Sequence, residues 1–315
     1  MGDHLGAAAQ GLHAFLRMRS LQQTLARPVE VEGIGLHTGV HARLRVCPAP
    51  AYTGLLFRRV DLDGFEIPAS PQYVAHVSYA TALVRAGVMV ATVEHLLAAL
   101  YACGVDNAII ELDALEVPIL DGSAAPFVEL LARAGRRTLD APRQYLRVRK
   151  PIRVGDGQKH ITLTPDTCFR LSCTIEFMHP MIGRQHQELI VTEETFVEEL
   201  APARTFGFLE DVEKLRQMGL IRGGSLQNAV VLTRDGLLNP EGLRFPDEFV
   251  RHKMVDLLGD LALLGRPLLA RVEAWRPGHA MNATAVATLL RDPTTWELLS
   301  PPHQSPINAR PHADE

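Results

Sequence analysis

The sequence predicts an α+β protein of two similar domains. Three observations carry this expectation. The 315 residues suffice for two domains of ordinary size. A polar, basic stretch with Pro142, at 136–146, reads as a linker between two halves. Each half then runs through the same order of strands, helix and strand, although no internal sequence repeat accompanies it. The expected division is an N-terminal extension at 1–20, a first domain at 21–141, a second at 142–300 and a disordered tail at 301–315.

In chain order, residues 21–49 alternate and carry turn glycines: Val29 and Val31, then Gly33, Gly35 and Gly39, then Ala42, Leu44 and Val46. That is a hairpin or a pair of strands. Residues 54–68 continue the strand pattern around a turn at Asp61-Leu62-Asp63-Gly64, and 81–90 is another β-like run. A helix follows. Thr92 offers an N-cap, Val93, Leu96, Leu97 and Leu100 recur at helical spacing, and Gly104 closes it. Asn107 to Leu112 is a strand, and Asp121-Gly122-Ser123 a turn. A helix then runs from Pro126 to Ala134 and stops at Gly135. In the second half, strands are expected at 147–154, 160–164 and 169–177. Helices are expected at 193–200 and 209–221, and a strand at 228–232. A long helix spans Pro246 to Leu264, and a strand spans Leu268 to Trp275. Residues 4–17 carry a short amphipathic pattern within the extension, and the Pro-, His- and Asp-rich tail is poor in core-forming residues.

Hydrophobic residues make up 47% of the chain and charged residues 22%, enough for a real core under a solvated surface. A net charge of −4 is too mild for a nucleic acid or polyanion partner. The four cysteines, Cys47, Cys103, Cys168 and Cys173, form no C-x-x-C pair and are expected as core or near-core thiols in a reducing compartment. No apolar run reaches the roughly 18–20 residues of a membrane span. Met1 to Ser20 lacks the basic start of a secretion signal. The expectation is a cytoplasmic monomer.

The sharpest local signal is on the helix at 246–264, where His252, Asp256 and Asp260 are spaced i, i+4, i+8. Four residues advance about 40° past a full turn, so the three share one stripe. Phe249, Met254, Leu257, Leu258 and Leu261 supply apolar surface beside it, and buried charges need partners. His and Asp four apart can hold one metal ion, with a carboxylate one turn on to orient the His. The same stripe also fits an exposed polar face with a His–Asp pair. Glu94 and His95 are neighbours on a helix and point about 100° apart, so one can ligate while the other reaches the ligated water. They also fit an acidic first turn. His279, in Arg276-Pro277-Gly278-His279 after a strand, fits either a site rim or plain surface. The glycine loops at 33–39 and 121–123 have neither P-loop nor dinucleotide spacing. Together, two His and one Asp leave a fourth position open to water, the count of a catalytic zinc site. The absence of H-E-x-x-H excludes the common metalloprotease families.

These residues fall within a longer series of motifs. G-I-G-L-H-T-G stands at 33–39, T-V-E-H-L at 92–96 and P-I-L-D-G-S-A-A-P-F at 118–127. A-R-T-F-G-F follows at 203–208, G-G-S at 223–225, L-R-F-P-D-E-F-V-R-H-K-M-V-D at 243–256 and G-H-A-M-N at 278–282. Over about Gln22 to about Leu290 the chain resembles the UDP-3-O-acyl-N-acetylglucosamine deacetylases, zinc enzymes of the committed step of lipid A synthesis. The resemblance implies one zinc ion held by His95, His252 and Asp256, with Glu94 as general base and His279 as the cationic acid. It implies that Thr205 stabilises the oxyanion, that Lys253 and Asp260 support the site, and that Phe206 and Lys159 contact the nucleotide-sugar. It also implies two α+β domains, each a sheet layered against helices, each with an insert, and the site between them.

An apolar passage for the acyl chain is expected from the insert near 205–232, lined by Val212, Leu215 and Gly219 on one helical face. The competing expectation is that this face packs into the core. Pro277 and Glu176 depart from the family pattern, which has a small residue and an Asp there. Two other functions stand against this one. A zinc amidase for a different acetylated sugar would not need the passage. A non-catalytic nucleotide-sugar-binding homologue would lack Glu94, His279 or a ligand, and all are present.

Overall fold

The computed structural model describes residues 19–76 and 78–302. The expectations for the extension before Arg19 and for the tail beyond Pro302 lie outside the described residues.

The first half holds β1 (Leu21–Leu25), β2 (Val29–Ile34), β3 (His41–Pro48), β4 (Leu55–Arg59), β5 (Phe65–Pro68), β6 (Val74–His76), β7 (Ala82–Arg85) and β8 (Val88–Ala91). It continues with α1 (Glu94–Ala102), β9 (Ala108–Leu112), α2 (Ala125–Ala134) and β10 (Arg136–Pro142). A five-stranded sheet has the order β2-β3-β9-β4-β5, with β9 antiparallel to β3 and parallel to β4. Strand β3 follows its sequence pattern: Ala42, Leu44 and Val46 are buried, while His41, Arg43 and Arg45 face solvent. A smaller sheet, β6-β7-β8, leads into α1.

The second half holds β11 (Tyr145–Val148), β12 (Ile152–Gly155), β13 (His160–Thr164), β14 (Phe169–Glu176), β15 (Arg184–Ile190), β16 (Phe206–Phe208) and α3 (Leu209–Gln217). Then come β17 (Val230–Leu232), α4 (Glu248–Ala262), β18 (Leu268–Trp275), α5 (His279–Arg291) and β19 (Trp296–Leu299). Strand β18 is the hub of a seven-stranded sheet, pairing with β13 on one side and with β11 and β14 on the other. Strands β16 and β17 pair in parallel and carry α3 between them.

Four sequence expectations change. Residues 136–142 are not a linker but strand β10, antiparallel to β1. Most of its side chains face water, so it lacks the apolar alternation that marks a strand. Thr92 does not cap α1. It sits at φ +57, its hydroxyl donates to Glu116 Oε1 at 2.8 Å, and Val93 takes the cap position. The expected helix at 193–200 opens on a Thr192–Thr195 capping box and turns π-helical over Phe196–Leu200. The helix expected at 209–221 stops at Gln217, because Gly219 adopts φ +81 and leaves the helical region.

Helices α1 and α4 pack against each other, and α4 also contacts β14, β15 and α5. Gly259 permits the close crossing: a Cβ there would lie 2.0 Å from the Glu94 carbonyl oxygen. The crossing therefore sets the start of α1 against the middle of α4.

Candidate metal centre

Glu94 and His95 are the first two residues of α1, and His252, Asp256 and Asp260 lie along α4. All five are buried, so the stripe is not a solvent-facing polar surface. His95 Nε2 lies 3.5 Å from Asp256 Oδ1, and His252 Nε2 lies 3.3 Å from the same oxygen. One ligand atom from each of the three residues falls within 4.8 Å of the others. Ligands at about 2.0–2.1 Å around a tetrahedral zinc stand about 3.3 Å apart, so this spacing fits such an ion.

Two of these three side chains, His252 and Asp256, are oriented from behind. His252 Nδ1 lies 3.0 Å from the Ala203 carbonyl oxygen; Nδ1–H donating there leaves Nε2 with a lone pair toward Asp256. Lys253 Nζ donates to Asp256 Oδ2 at 2.8 Å and leaves Oδ1 to the histidines. Burial alone would raise the Asp256 carboxyl, but Lys253 and then His252 outweigh it and hold it well below its ordinary value. Burial lowers His95 and outweighs its Asp256 hydrogen bond, which favours the neutral, ligating imidazole.

His279 is not at a rim. It is the buried first residue of α5, with Nδ1 2.8 Å from Asp260 Oδ2 and Nε2 3.8 Å from Glu94 Oε1. Burial opposes its charge, but the Asp260 carboxylate, then Glu94 and Asp256, push its pKa up to about 10. Glu94 also moves up, which for a carboxylate favours the neutral form: burial, aided by Asp256 and Asp260 against His279, raises it to about 7.

Two cavities flank this cluster. One of about 330 Å³ is lined by Thr205, Phe206, Val212, Leu215, Leu226 and Leu238, with Leu36, His37 and Tyr79 from the first half. No residue of α3 is fully buried, so this helix walls a cavity rather than filling a core. Val212 and Leu215 line this cavity, and Gly219 is not among its lining residues. The second cavity, of about 100 Å³, brings Lys159, Lys253 and Arg276 together with Glu176, Phe177 and Pro277. The two departures from the family pattern, Glu176 and Pro277, therefore sit in one place. Phe206 lines the larger cavity, with its ring 5.6 Å from Lys253 Nζ and 6.4 Å from the His252 ring.

Sequence reasoning missed Thr81, Ala203, Gly259 and the role of Asn282. Asn282 Nδ2 donates to Asp260 Oδ2 at 2.8 Å, and its i+3 spacing from His279 was a readable signal. Ala203 acts through a carbonyl and Gly259 through a missing side chain, for which spacing carries no signal. The four cysteines are free, with Cys103 and Cys173 buried and the others partly so. Among the described residues, no helix is long and apolar enough to cross a membrane.

The family model described as LpxC, UDP-3-O-acyl N-acetylglycosamine deacetylase, matches residues 22–291. The chain is similar to a protein of Solibacter usitatus (strain Ellin6076) named UDP-3-O-acyl-N-acetylglucosamine deacetylase, at 55% identity over 279 residues, 89% of this chain and 94% of that protein. A protein of the same name from Myxococcus xanthus (strain DK1622) is 50% identical over 279 residues, 88% of this chain and 89% of its own length. Another from Cellvibrio japonicus (strain Ueda107) is 45% identical over 289 residues, 91% of this chain and 95% of its own.

Proposed function

The chain belongs to the UDP-3-O-acyl-N-acetylglucosamine deacetylase family, and from that premise we propose how its buried site performs the reaction. The reaction is hydrolysis of the N-acetyl group of UDP-3-O-acyl-N-acetylglucosamine in lipid A biosynthesis. The observation that carries the assignment of roles is the two-His, one-Asp cluster with Glu94 beside it and His279 facing Glu94 across 3.8 Å.

His95, His252 and Asp256 would hold the zinc, which when bound would lower the pKa of a water towards about 7 and polarise the amide carbonyl. Glu94 Oε2 accepts from the Thr81 amide at 3.0 Å, so Oε1 is the oxygen left to take a proton from the attacking water. His279 has Nδ1 committed to Asp260, so Nε2 is the donor to the departing amine nitrogen. Thr205 lines the larger cavity next to Phe206, whose ring lies 6.4 Å from the His252 ring, and its hydroxyl is assigned to stabilise the negative charge on the acetyl oxygen. The larger cavity takes the acyl chain, and the cations Lys159, Lys253 and Arg276 of the smaller one suit the diphosphate and nucleotide.

The test is acetate release by the purified, zinc-loaded protein from UDP-3-O-acyl-N-acetylglucosamine. Glu94→Ala and His279→Ala should each lower kcat by about 100-fold, the scale of a lost general acid or base, with zinc retained. Full turnover in either variant removes that residue from its role.

A further inference from the structure

Thr81 precedes strand β7, thirteen positions before Glu94, in the small sheet of the first half. It is buried and bonded at three points. Its carbonyl accepts from the Val93 amide at 3.3 Å, which fixes it to the start of α1. Its amide donates to Glu94 Oε2 at 3.0 Å. Its hydroxyl donates to Asp260 Oδ1 at 2.5 Å and stands 3.2 Å from His279 Nδ1.

One residue thus touches the base, the acid and the carboxylate behind the acid, on three different helices. The donors sort consistently. His279 Nδ1–H points to Asp260 Oδ2 at 2.8 Å, so the Thr81 oxygen can receive only the weaker share of that proton. The hydroxyl proton is then free for Asp260 Oδ1, and Asn282 Nδ2 completes Oδ2 at 2.8 Å. The carboxylate is held on both oxygens and cannot turn away from His279.

We infer that Thr81 is a positioning residue for the deacetylation. Its amide selects which Glu94 oxygen faces the reacting water, and its hydroxyl locks Asp260 so that His279 Nε2 stays aimed at the leaving nitrogen. The inference rests on the base and acid roles given above for Glu94 and His279. Valine has the shape of threonine and keeps the amide but not the hydroxyl, so Thr81→Val isolates the second function.

In the zinc-loaded enzyme, T81V should lower kcat about 10-fold or more with KM within about twofold, the pattern of an interaction made in the transition state. T81S restores the hydroxyl and should recover most of kcat. Because the hydroxyl acts through Asp260, the T81V/D260N double variant should be no slower than D260N alone. A kcat for T81V within twofold of wild type, or T81V and D260N losses that multiply, overturns the inference. If T81V folds poorly, T81S decides: a kcat per bound zinc no better than that of T81A removes the hydroxyl from the mechanism. Loss of activity in E94A and H279A together with an unaffected T81V rejects Thr81 alone. Retained activity in E94A or H279A rejects the roles on which it rests.

Discussion

Asp260→Asn removes one charge and one of the two acceptor oxygens behind His279. Asp260 Oδ2 is 2.8 Å from His279 Nδ1, and it is the largest contribution favouring the imidazolium against the cost of burial. His279 is pushed from 6.5 up to about 10, which at 1.36 kcal/mol per unit is about 5 kcal/mol in favour of the charged ring. Without Asp260, burial is opposed only by Glu94 and Asp256. A metal cation on the ligand side disfavours the charged ring as well, so the imidazolium of the loaded enzyme depends still more on Asp260. The sign follows from the role. In the acid role proposed for it, His279 acts protonated, so the rate falls as pH rises through its pKa, and this is the alkaline limb of a bell. D260N should move that limb to lower pH by at least about one unit and lower kcat near neutrality about 10-fold or more. Stability follows the same linkage: the pair's contribution is complete below the ordinary His value and is lost as pH rises through about 10. The stability gap between wild type and D260N should therefore be widest in acid and close in alkali. The assay is kcat/KM against pH for wild type, D260N and H279A, with denaturant unfolding at two pH values. If H279A abolished the limb while D260N left it in place, His279 would own the limb but Asp260 would not set it, and the reasoning would fail.

Three other outcomes are expected. Metal analysis should find about one zinc per chain, the count of a mononuclear site, and His252→Ala should lose most of it; full retention would reject His252 as a ligand. Gly259→Ala should destabilise the protein by about 1–3 kcal/mol through overpacking, although alanine in an open helix would stabilise by about 1 kcal/mol; a variant more stable than wild type in denaturant unfolding would contradict the close helix crossing. Leu215→Trp should raise KM about 10-fold for long-chain substrates, the loss of roughly two buried methylenes at about 0.8 kcal/mol each, and leave a short-chain analogue unaffected. Equal loss on both substrates would make α3 ordinary packing.

Elements with one buried face were legible. The alternation of Ala42, Leu44 and Val46 marks β3, and the run from Leu268 to Trp275 marks the central strand β18 at its observed bounds. Elements with almost no buried side chain were not. Strand β15 reads R-Q-H-Q-E-L-I and β10 reads R-R-T-L-D-A-P; each is held by backbone pairing to a partner the local sequence does not name. Helix α5 was not expected, although Gly278 before it and the proline-free run from His279 to Arg291 permit a helix. The stripe of His252, Asp256 and Asp260 on α4 was legible because one helix carries it. Its meeting with Glu94 and His95 depends on Gly259, where the informative feature is a missing side chain. Thr81 left no signal, because its partners lie on three other elements and its contact with Glu94 uses a backbone amide.

Histidine chemistry separates the two sides of the site more sharply than residue type does. His95 and His279 are both buried, and both stand at the start of a helix, where the dipole disfavours a cation. Burial and dipole alone would make both rings neutral. They part company because of the carboxylate each faces. Asp256 is shared: its Oδ2 is taken by Lys253, and its Oδ1 is divided between His95 and His252 at 3.5 and 3.3 Å. That divided charge does not offset the burial of His95, whose pKa shifts down, which favours the neutral ring. Asp260 has no lysine or arginine against it among its hydrogen-bond partners. Thr81 and Asn282 are neutral donors that orient it without spending its charge, so the whole of that charge falls on His279. Placing a cation rather than a hydroxyl or amide behind Asp260 would make His279 resemble His95. Exchanging the neutral donor Asn282 for lysine should therefore lower the alkaline limb of the rate profile with zinc content preserved. An unchanged limb in a folded N282K protein would mean that the partners of the carboxylate do not decide which histidine carries the proton.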